Sequence, residues 1–325
     1  MITKAKRRHM ENIIVVDNLT QDYGHGRGVF DVSFVVKKGE VFGFLGPNGA
    51  GKSTTIRHIM GFSKAQKGRI EVFGLETFSN YYKILDKVGY LPGEIALPEG
   101  LTGWEFIKMM WSLRKVENKE RLEYLLDMFK LDPSGETKKM SLGDKRKLAI
   151  VTAFMHDPEL LVLDEPTSGL DPVMQQRFID FVKEEKRRGK TILLSSHMFN
   201  EVEATCDRIA IIKDGRIVSD FDTSDITHNE NKNFEVVFKN EDEFSKVLEI
   251  LPKLRKNTIK IKQISVKTFD KDKLTIIIAV NDNDINALVQ MLSDYSVQSF
   301  KQVKFTLEDY FMQFYREDKK FRLEV

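Results

Sequence analysis

Val41-Phe42-Gly43-Phe44-Leu45-Gly46-Pro47-Asn48-Gly49-Ala50-Gly51-Lys52-Ser53-Thr54 is an apolar run that breaks into a glycine-rich loop. The run reads as a buried strand, and Ser53 to Met60, closed by Gly61, reads as a helix. Between them Gly46, Gly51, Lys52 and Ser53 fit the phosphate-loop pattern G-x-x-x-x-G-K-[ST]. Glycines let successive backbone N–H groups converge on phosphate oxygens, because no Cβ blocks the approach. The helix points the positive end of its dipole at the same phosphates. Lys52 is placed to reach the β- and γ-phosphates, and the Ser53 hydroxyl to ligate Mg²⁺. A glycine-rich turn matching by chance is the plain alternative; the strand before it and the helix after it weigh against that. The loop predicts a bound nucleoside triphosphate without saying what its energy drives.

Downstream, Glu159-Leu160-Leu161-Val162-Leu163-Asp164-Glu165 is the second strong signal. Four apolar residues make a strand buried on both faces. Two carboxylates emerge at its C-terminal end, where open α/β sheets bind ligands. Asp164 is placed to hold Mg²⁺, and Glu165 to orient or deprotonate an attacking water. Thr191 to Leu194 is another buried strand and delivers Ser195-Ser196-His197. His197 can reach a γ-phosphate from there, although a satisfied loop histidine is the plainer reading of that residue alone.

Other stretches fill in the architecture. Ile13–Val16 and Phe30–Lys37 read as strands around a turn-rich stretch, Gln21 to Gly28, that holds Tyr23. A loop aromatic can stack on a base; a half-buried loop tyrosine is the plainer reading. Gly68–Gly74 and Val88–Pro92 are short strands, and Gly93 to Thr102 is a loop carrying Glu94 and Glu99. Thr102 and Glu105 form a capping box for the next helix. Ser141 in Met140-Ser141-Leu142-Gly143-Asp144 is an N-cap, and with Gly143 it also offers an anion site at a helix start. Asp171-Pro172 caps a helix that ends in Lys186-Arg187-Arg188. Asp214-Gly215 turns a hairpin.

Composition bounds the partners. The chain has 325 residues, 41% hydrophobic and 31% charged, with a net charge of +2. Those values describe a soluble two-domain protein and give no case for nucleic acid as a bulk electrostatic partner. No apolar run approaches the roughly 18 to 20 residues of a membrane-spanning helix. The single cysteine, Cys206, excludes an internal disulfide framework and a cysteine-based metal cluster, in keeping with a reducing cytoplasm. Residues 1–10 are a basic N-terminal arm or a cloning remnant.

After a polar linker, 223–232, the order changes. Strand Phe234–Phe238, a helix, strands near Ile259–Val266 and Leu274–Val280, a second helix and a strand near Val297–Val303 give β-α-β-β-α-β. That order predicts a small α+β, ferredoxin-like domain over 233–325 with a terminal helix carrying Leu307, Tyr310, Phe311 and Phe314. No catalytic constellation lies in it.

Over 11–222 these motifs, in this order, resemble the nucleotide-binding subunit of ATP-binding cassette (ABC) transporters. The resemblance implies an α/β P-loop NTPase fold with a helical subdomain about 93–155, ATP and Mg²⁺ as ligands, and ATP hydrolysis. It implies that Tyr23 stacks on adenine and that Gly46, Pro47, Asn48, Gly49, Ala50, Gly51, Lys52, Ser53 and Thr54 form the Walker A loop. Leu160–Glu165 matches Walker B, Ser168–Asp171 the D-loop and His197 the switch histidine. Two such subunits pair head to tail, so Ser141 and Gly143 contact a γ-phosphate held by the other subunit, and Asp171 is implied as a further nucleotide-binding residue. Implied partners are a second ATPase subunit, the same chain or another, and integral membrane permease subunits, with no nucleic acid. The implied location is the cytoplasmic face of the cell membrane.

Two departures stand out. Gly93 occupies the place of the Q-loop glutamine, with Glu94 next as a substitute for metal or water contact. The signature reads MSLGD where LSGGQ is usual. Such variants, and a tail like Thr306–Phe311, occur in subunits that serve separate exporter-type membrane proteins. Rival readings are a soluble ABC ATPase acting on ribosomes or DNA, a P-loop kinase, and an idle subunit of a heterodimer. The single cassette, the absence of a long heptad insertion, the Asp164-Glu165 pair and the intact His197 weigh against them in turn.

Overall fold

The computed structural model describes residues 11–114, 118–224, 231–257, 264–303, 306–308 and 310–312. The chain divides into two compact units, Met1–Thr223 and Ser224–Val325.

In the first unit Asn12–Asp22 (β1) and Gly28–Lys37 (β2) pair antiparallel, and Val41–Leu45 (β3) follows, buried at every position. The strand β1 runs further than the apolar pattern predicts. It crosses irregularities between Val16 and Leu19, where Asn18 sits at φ 51°, and ends at the turn carrying Tyr23. Next come Lys52–Ile59 (α1), Lys67–Val72 (β4), Leu75–Glu76 (β5), Thr77–Leu85 (α2) and Val88–Leu91 (β6). The helix α2 has no sequence counterpart above. Its Phe78, Tyr81 and Tyr82 are exposed and Asn80 leaves helical geometry, so no apolar stripe marks it.

Gly103–Arg114 (α3), Lys119–Met128 (α4) and Leu142–Phe154 (α5) form the helical part of the unit. The predicted capping box closes α3: Glu105 N–H donates to Thr102 Oγ1 at 3.2 Å, and Thr102 N–H to Glu105 Oε2 at 2.7 Å. Leu160–Asp164 (β7), Pro172–Arg187 (α6), Thr191–Ser196 (β8), Phe199–Thr205 (α7), Arg208–Lys213 (β9) and Arg216–Asp222 (β10) complete it. Asp171 caps α6, accepting from Val173 N–H at 2.9 Å and Met174 N–H at 3.0 Å, with Pro172 pre-set at the first turn. Fully buried rings fix the helices. Phe181 of α6 lies 5.1 Å from Phe154 of α5 and 5.5 Å from Phe129 at the end of α4. Truncating Phe181 to alanine would cost about 3–5 kcal/mol.

The main sheet has the order β10-β9-β3-β8-β7-β6, parallel except for the β9–β10 hairpin. The second sheet, β2-β1-β4-β5, is antiparallel. The order β3-β8-β7 decides the chemistry, because it brings three strand ends side by side. The phosphate loop leaves β3, Asp164-Glu165 leaves β7 and Ser196-His197 leaves β8, all at the C-terminal edge.

The second unit holds Asn231–Phe238 (β11), Glu241–Asn257 (α8), Ile264–Asp270 (β12), Thr275–Asn281 (β13), Ile285–Leu292 (α9) and Val297–Val303 (β14). Its sheet, β12-β13-β11-β14, is antiparallel, and the core includes Val236, Phe238, Phe244, Ile276, Ile278 and Leu288. This is a split β-α-β order. The strand expected near Ile259–Val266 is centred later. Pairing from Ile264↔Val280 to Asp270↔Thr275 sets its register, and Asp270 Oδ1 turns the chain by accepting from Asp272 N–H at 3.1 Å. Residues 259–263 of that expectation lie outside the described residues, as do Phe314, the arm at 1–10 and most of the linker. Leu307 and Phe311 are buried.

Candidate functional site

Gly51 sits at φ 108° at the start of α1, and a Cβ there would fall 2.6 Å from Val29 Cγ1. A Cβ on Gly46 would fall 2.5 Å from the carbonyl oxygen of Ile212. Only glycine serves at both ends of the loop. The loop bounds a cavity of about 360 Å³ lined by Pro47, Asn48, Gly49, Gly51, Lys52, Ser53 and Thr54 on one side. Tyr23, Gly26, Arg27, Gly28, Glu165, Asp214 and Gly215 line the rest. Tyr23 is exposed at its rim, held by a turn in which Tyr23 N–H donates to Arg27 O at 2.9 Å.

Lys52 is 5% exposed, and its Nζ donates to Gly46 O at 2.6 Å and to Pro47 O at 3.2 Å. It also lies 3.0 Å from Glu165 Oε1, as an ion pair without the alignment of a hydrogen bond. The other carboxylate oxygen of Glu165, Oε2, is 2.6 Å from His197 Nδ1. Glu165 is held in the left-handed region at φ 48°, with its N–H donated to Ser195 O at 2.9 Å. That strained conformation turns its side chain out of the β7 ladder toward the cavity. The structure thus brings Lys52, Glu165 and His197 together.

Asp164 is 3% exposed; its Oδ1 accepts the Ser195 hydroxyl, and its Oδ2 faces Gly93, where a Cβ would sit 3.3 Å away. The Ser53 hydroxyl and the Asp164 carboxylate are hard oxygen donors, of the kind that suits Mg²⁺. They fit that ion, and would hold it beside the phosphates to neutralise charge there.

Other predicted site residues stand elsewhere. Ala50 is buried behind the loop. Glu94, Ser141, Gly143 and Asp171 are not among the residues lining the cavity. Glu94 is exposed on the loop after β6. Ser141 caps α5: its Oγ accepts Asp144 N–H at 3.1 Å and donates to Asp144 Oδ2 at 2.8 Å. Asp171 caps α6 as described.

Arg27, Asp214 and Gly215 were not legible as site residues. Asp214 and Gly215 look like a plain hairpin turn, and reach the cavity because Gly215 N–H donates to Ala50 O at 3.0 Å. The one signal for Arg27 is its place in the same glycine-rich turn as Tyr23. A further group behind the site is Glu201 on α7. It is 2% exposed, and its Oε2 accepts the Ser196 hydroxyl at 2.7 Å.

The chain is similar to known proteins in both sequence and fold. The family model described as ABC transporter matches residues 29–168. An uncharacterized ABC transporter ATP-binding protein of Bacillus subtilis, YhcH, is 31% identical over 299 residues, covering 91% of this chain and 98% of the relative. The linearmycin resistance ATP-binding protein LnrL of Bacillus subtilis is 40% identical over 212 residues, covering 64% of this chain and 68% of the relative. Among solved structures, an ATP-binding subunit of an ABC transporter is similar with a TM-score of 0.60 and 32% identity, covering 66% of this chain and 91% of that one.

Proposed function

The chain belongs to the family of ABC transporter ATP-binding subunits, an ABC-type ATPase, and from that premise we propose that it powers an exporter whose membrane-spanning part is a separate chain. The observation that carries the reading is the meeting of Lys52, Glu165 and His197 where β3, β7 and β8 end. Among the described residues no helix is long and apolar enough to cross a membrane, so the path for a cargo is assigned to a partner. The subunit then works at the cytoplasmic face of that partner. Export is favoured by the similarity to a linearmycin resistance subunit and by the variant signature at Ser141.

In the proposed mechanism Tyr23 stacks on the adenine and the backbone of Gly46 to Thr54 cradles the phosphates. Lys52 carries charge at the β- and γ-phosphates, and Ser53 and Asp164 would hold Mg²⁺, which would supply further neutralisation. Glu165 orients the attacking water and takes up its proton. His197, bound to Glu165 Oε2, fixes that carboxylate and reaches the γ-phosphate. Ser141 and Gly143 of a second subunit complete the site across a head-to-tail interface. That arrangement explains why both lie outside the cavity of their own chain.

The test is affinity purification of the full chain from detergent-solubilised membranes of its own host, followed by ATPase assays. Recovery of integral membrane proteins, together with ATPase activity per mole of the chain purified alone that rises with its concentration, supports the reading. Recovery with ribosomes or DNA alone, or concentration-independent turnover by the chain purified alone, overturns it.

A further inference from the structure

Arg146, in the second turn of α5, is 2% exposed, and among the described residues no carboxylate lies within ion-pair distance of it. Its guanidinium is instead shared among three backbone carbonyls. Nη1 donates to Pro92 O at 2.8 Å, Nη2 to Gly93 O at 2.6 Å, and Nε to Ser168 O at 3.0 Å. Burial pulls its pKa down, and the charges of Asp164 and Glu165 oppose that fall. A buried cation spent on main-chain oxygens of two separate loops is costly unless those loops need fixing.

Both loops flank the hydrolytic carboxylates. Gly93 lies against Asp164, with 3.3 Å between its would-be Cβ and Oδ2. Ser168 follows Glu165 by three residues, and Ser168 N–H donates back to Glu165 O at 3.2 Å. The start of α5 touches the second loop twice more. Leu142 covers Gly169, whose would-be Cβ would lie 2.9 Å from Leu142 Cδ2. A Cβ on Gly143 would lie 3.4 Å from Gly169 O. Leu142, Gly143 and Arg146 share one side of the helix, so displacing the first turn of α5 must displace Ser168 and Gly169.

We propose that Arg146 is a positioning residue for ATP hydrolysis. It ties the first turns of α5, the Pro92–Gly93 segment and the Ser168–Gly169 segment into one body that sets where Asp164 and Glu165 stand. A ligand seated on Ser141 would be felt at Glu165 of the same chain through this tie. This rests on the reading of Glu165 as the group that handles the attacking water. Lysine keeps the cation but not the planar three-way fork, and glutamine keeps donors without the charge.

The experiment compares wild type, R146K, R146Q and E165Q as full chains. It measures the ATP dissociation constant without Mg²⁺, then kcat, KM, and deuterium uptake of peptides spanning 88–95, 165–170 and 46–54. For R146K and R146Q the expected result is kcat down about ten- to a hundredfold, with KM and the dissociation constant within about threefold of wild type. Uptake rises in 88–95 and 165–170 and stays unchanged in 46–54. Turnover of a folded R146K within about threefold of wild type overturns the proposal when E165Q is strongly impaired. Parallel loss of ATP binding and turnover overturns it too, as does failure of both arginine variants to fold, because the role is then structural. Full activity in E165Q overturns the reading of Glu165 instead.

Discussion

The Lys52 ammonium and the Glu165 carboxylate face each other at 3.0 Å on the floor of the cavity, both largely shielded from water. On the proposed mechanism the same ammonium meets the nucleotide phosphates, which would then compete with Glu165 for it. Glu165→Gln removes the competitor and the base together. Turnover is expected to fall at least about a hundredfold. ATP affinity is expected to stay equal or rise a few fold, because the amide holds Lys52 less strongly than the carboxylate does. Steady-state ATPase assays and a nucleotide titration check this. A variant that hydrolyses at the wild-type rate removes Glu165 from the mechanism.

On the proposed mechanism His197 acts on the water through Glu165, whose Oε2 lies 2.6 Å from its Nδ1. His197→Ala is expected to lower kcat about ten- to a hundredfold with little change in KM. The double variant with Glu165→Gln should be hardly worse than Glu165→Gln alone, because residues that act as a unit are not additive. Multiplying losses in the double variant would show two independent roles.

The sequence already exposed much of this site, for a physical reason. Backbone cradles and strand ends need fixed residue types at fixed spacing, so Gly46 to Thr54 and Asp164-Glu165 stand out as candidates, while His197 becomes one only beside those motifs. Packing leaves no such pattern. Arg146 looks like one more charge in Lys145-Arg146-Lys147, yet it is buried among carbonyls from positions 92, 93 and 168. Asp214 reads as a turn residue because its cavity role depends on where the hairpin lands. In the fold, α2 was invisible for want of an apolar stripe, and the β12 register depends on pairing with β13.

Ser141 donates its hydroxyl to Asp144 Oδ2 at 2.8 Å. A carboxylate at a helix N-terminus favours the dipole by about 0.3–1 kcal/mol, but it also repels a phosphate approaching Ser141. Asp144→Asn is expected to lower the KM for ATP a few fold at low salt, with the gap closing at high salt as screening sets in. Ser141→Ala should reduce turnover while leaving ATP binding by the isolated chain intact. An Asp144→Asn variant with a raised KM at low salt would show that the carboxylate assists the signature turn.

Glu201 gives the protein a pH signature of its own. Burial raises its pKa to about 7, the nearby Glu165 charge adds to the rise, and the hydrogen bond from Ser196 opposes it. The unfolded chain releases this proton near the ordinary value of 4.5. Between those two values the folded state binds more protons than the unfolded one, so stability falls as pH rises. The contribution is fully present below pH 4.5 and is lost as pH passes through about 7, a change on the order of 3 kcal/mol. Glu201→Gln keeps an acceptor for Ser196 and cannot ionise. Subtracting its unfolding free energy from that of wild type, from urea titrations between pH 5 and 8.5, should isolate this slope. The variant should gain on wild type as pH rises and level off above about pH 8. A difference that stays flat across the range would mean that Glu201 ionises in the folded protein as readily as it does in water.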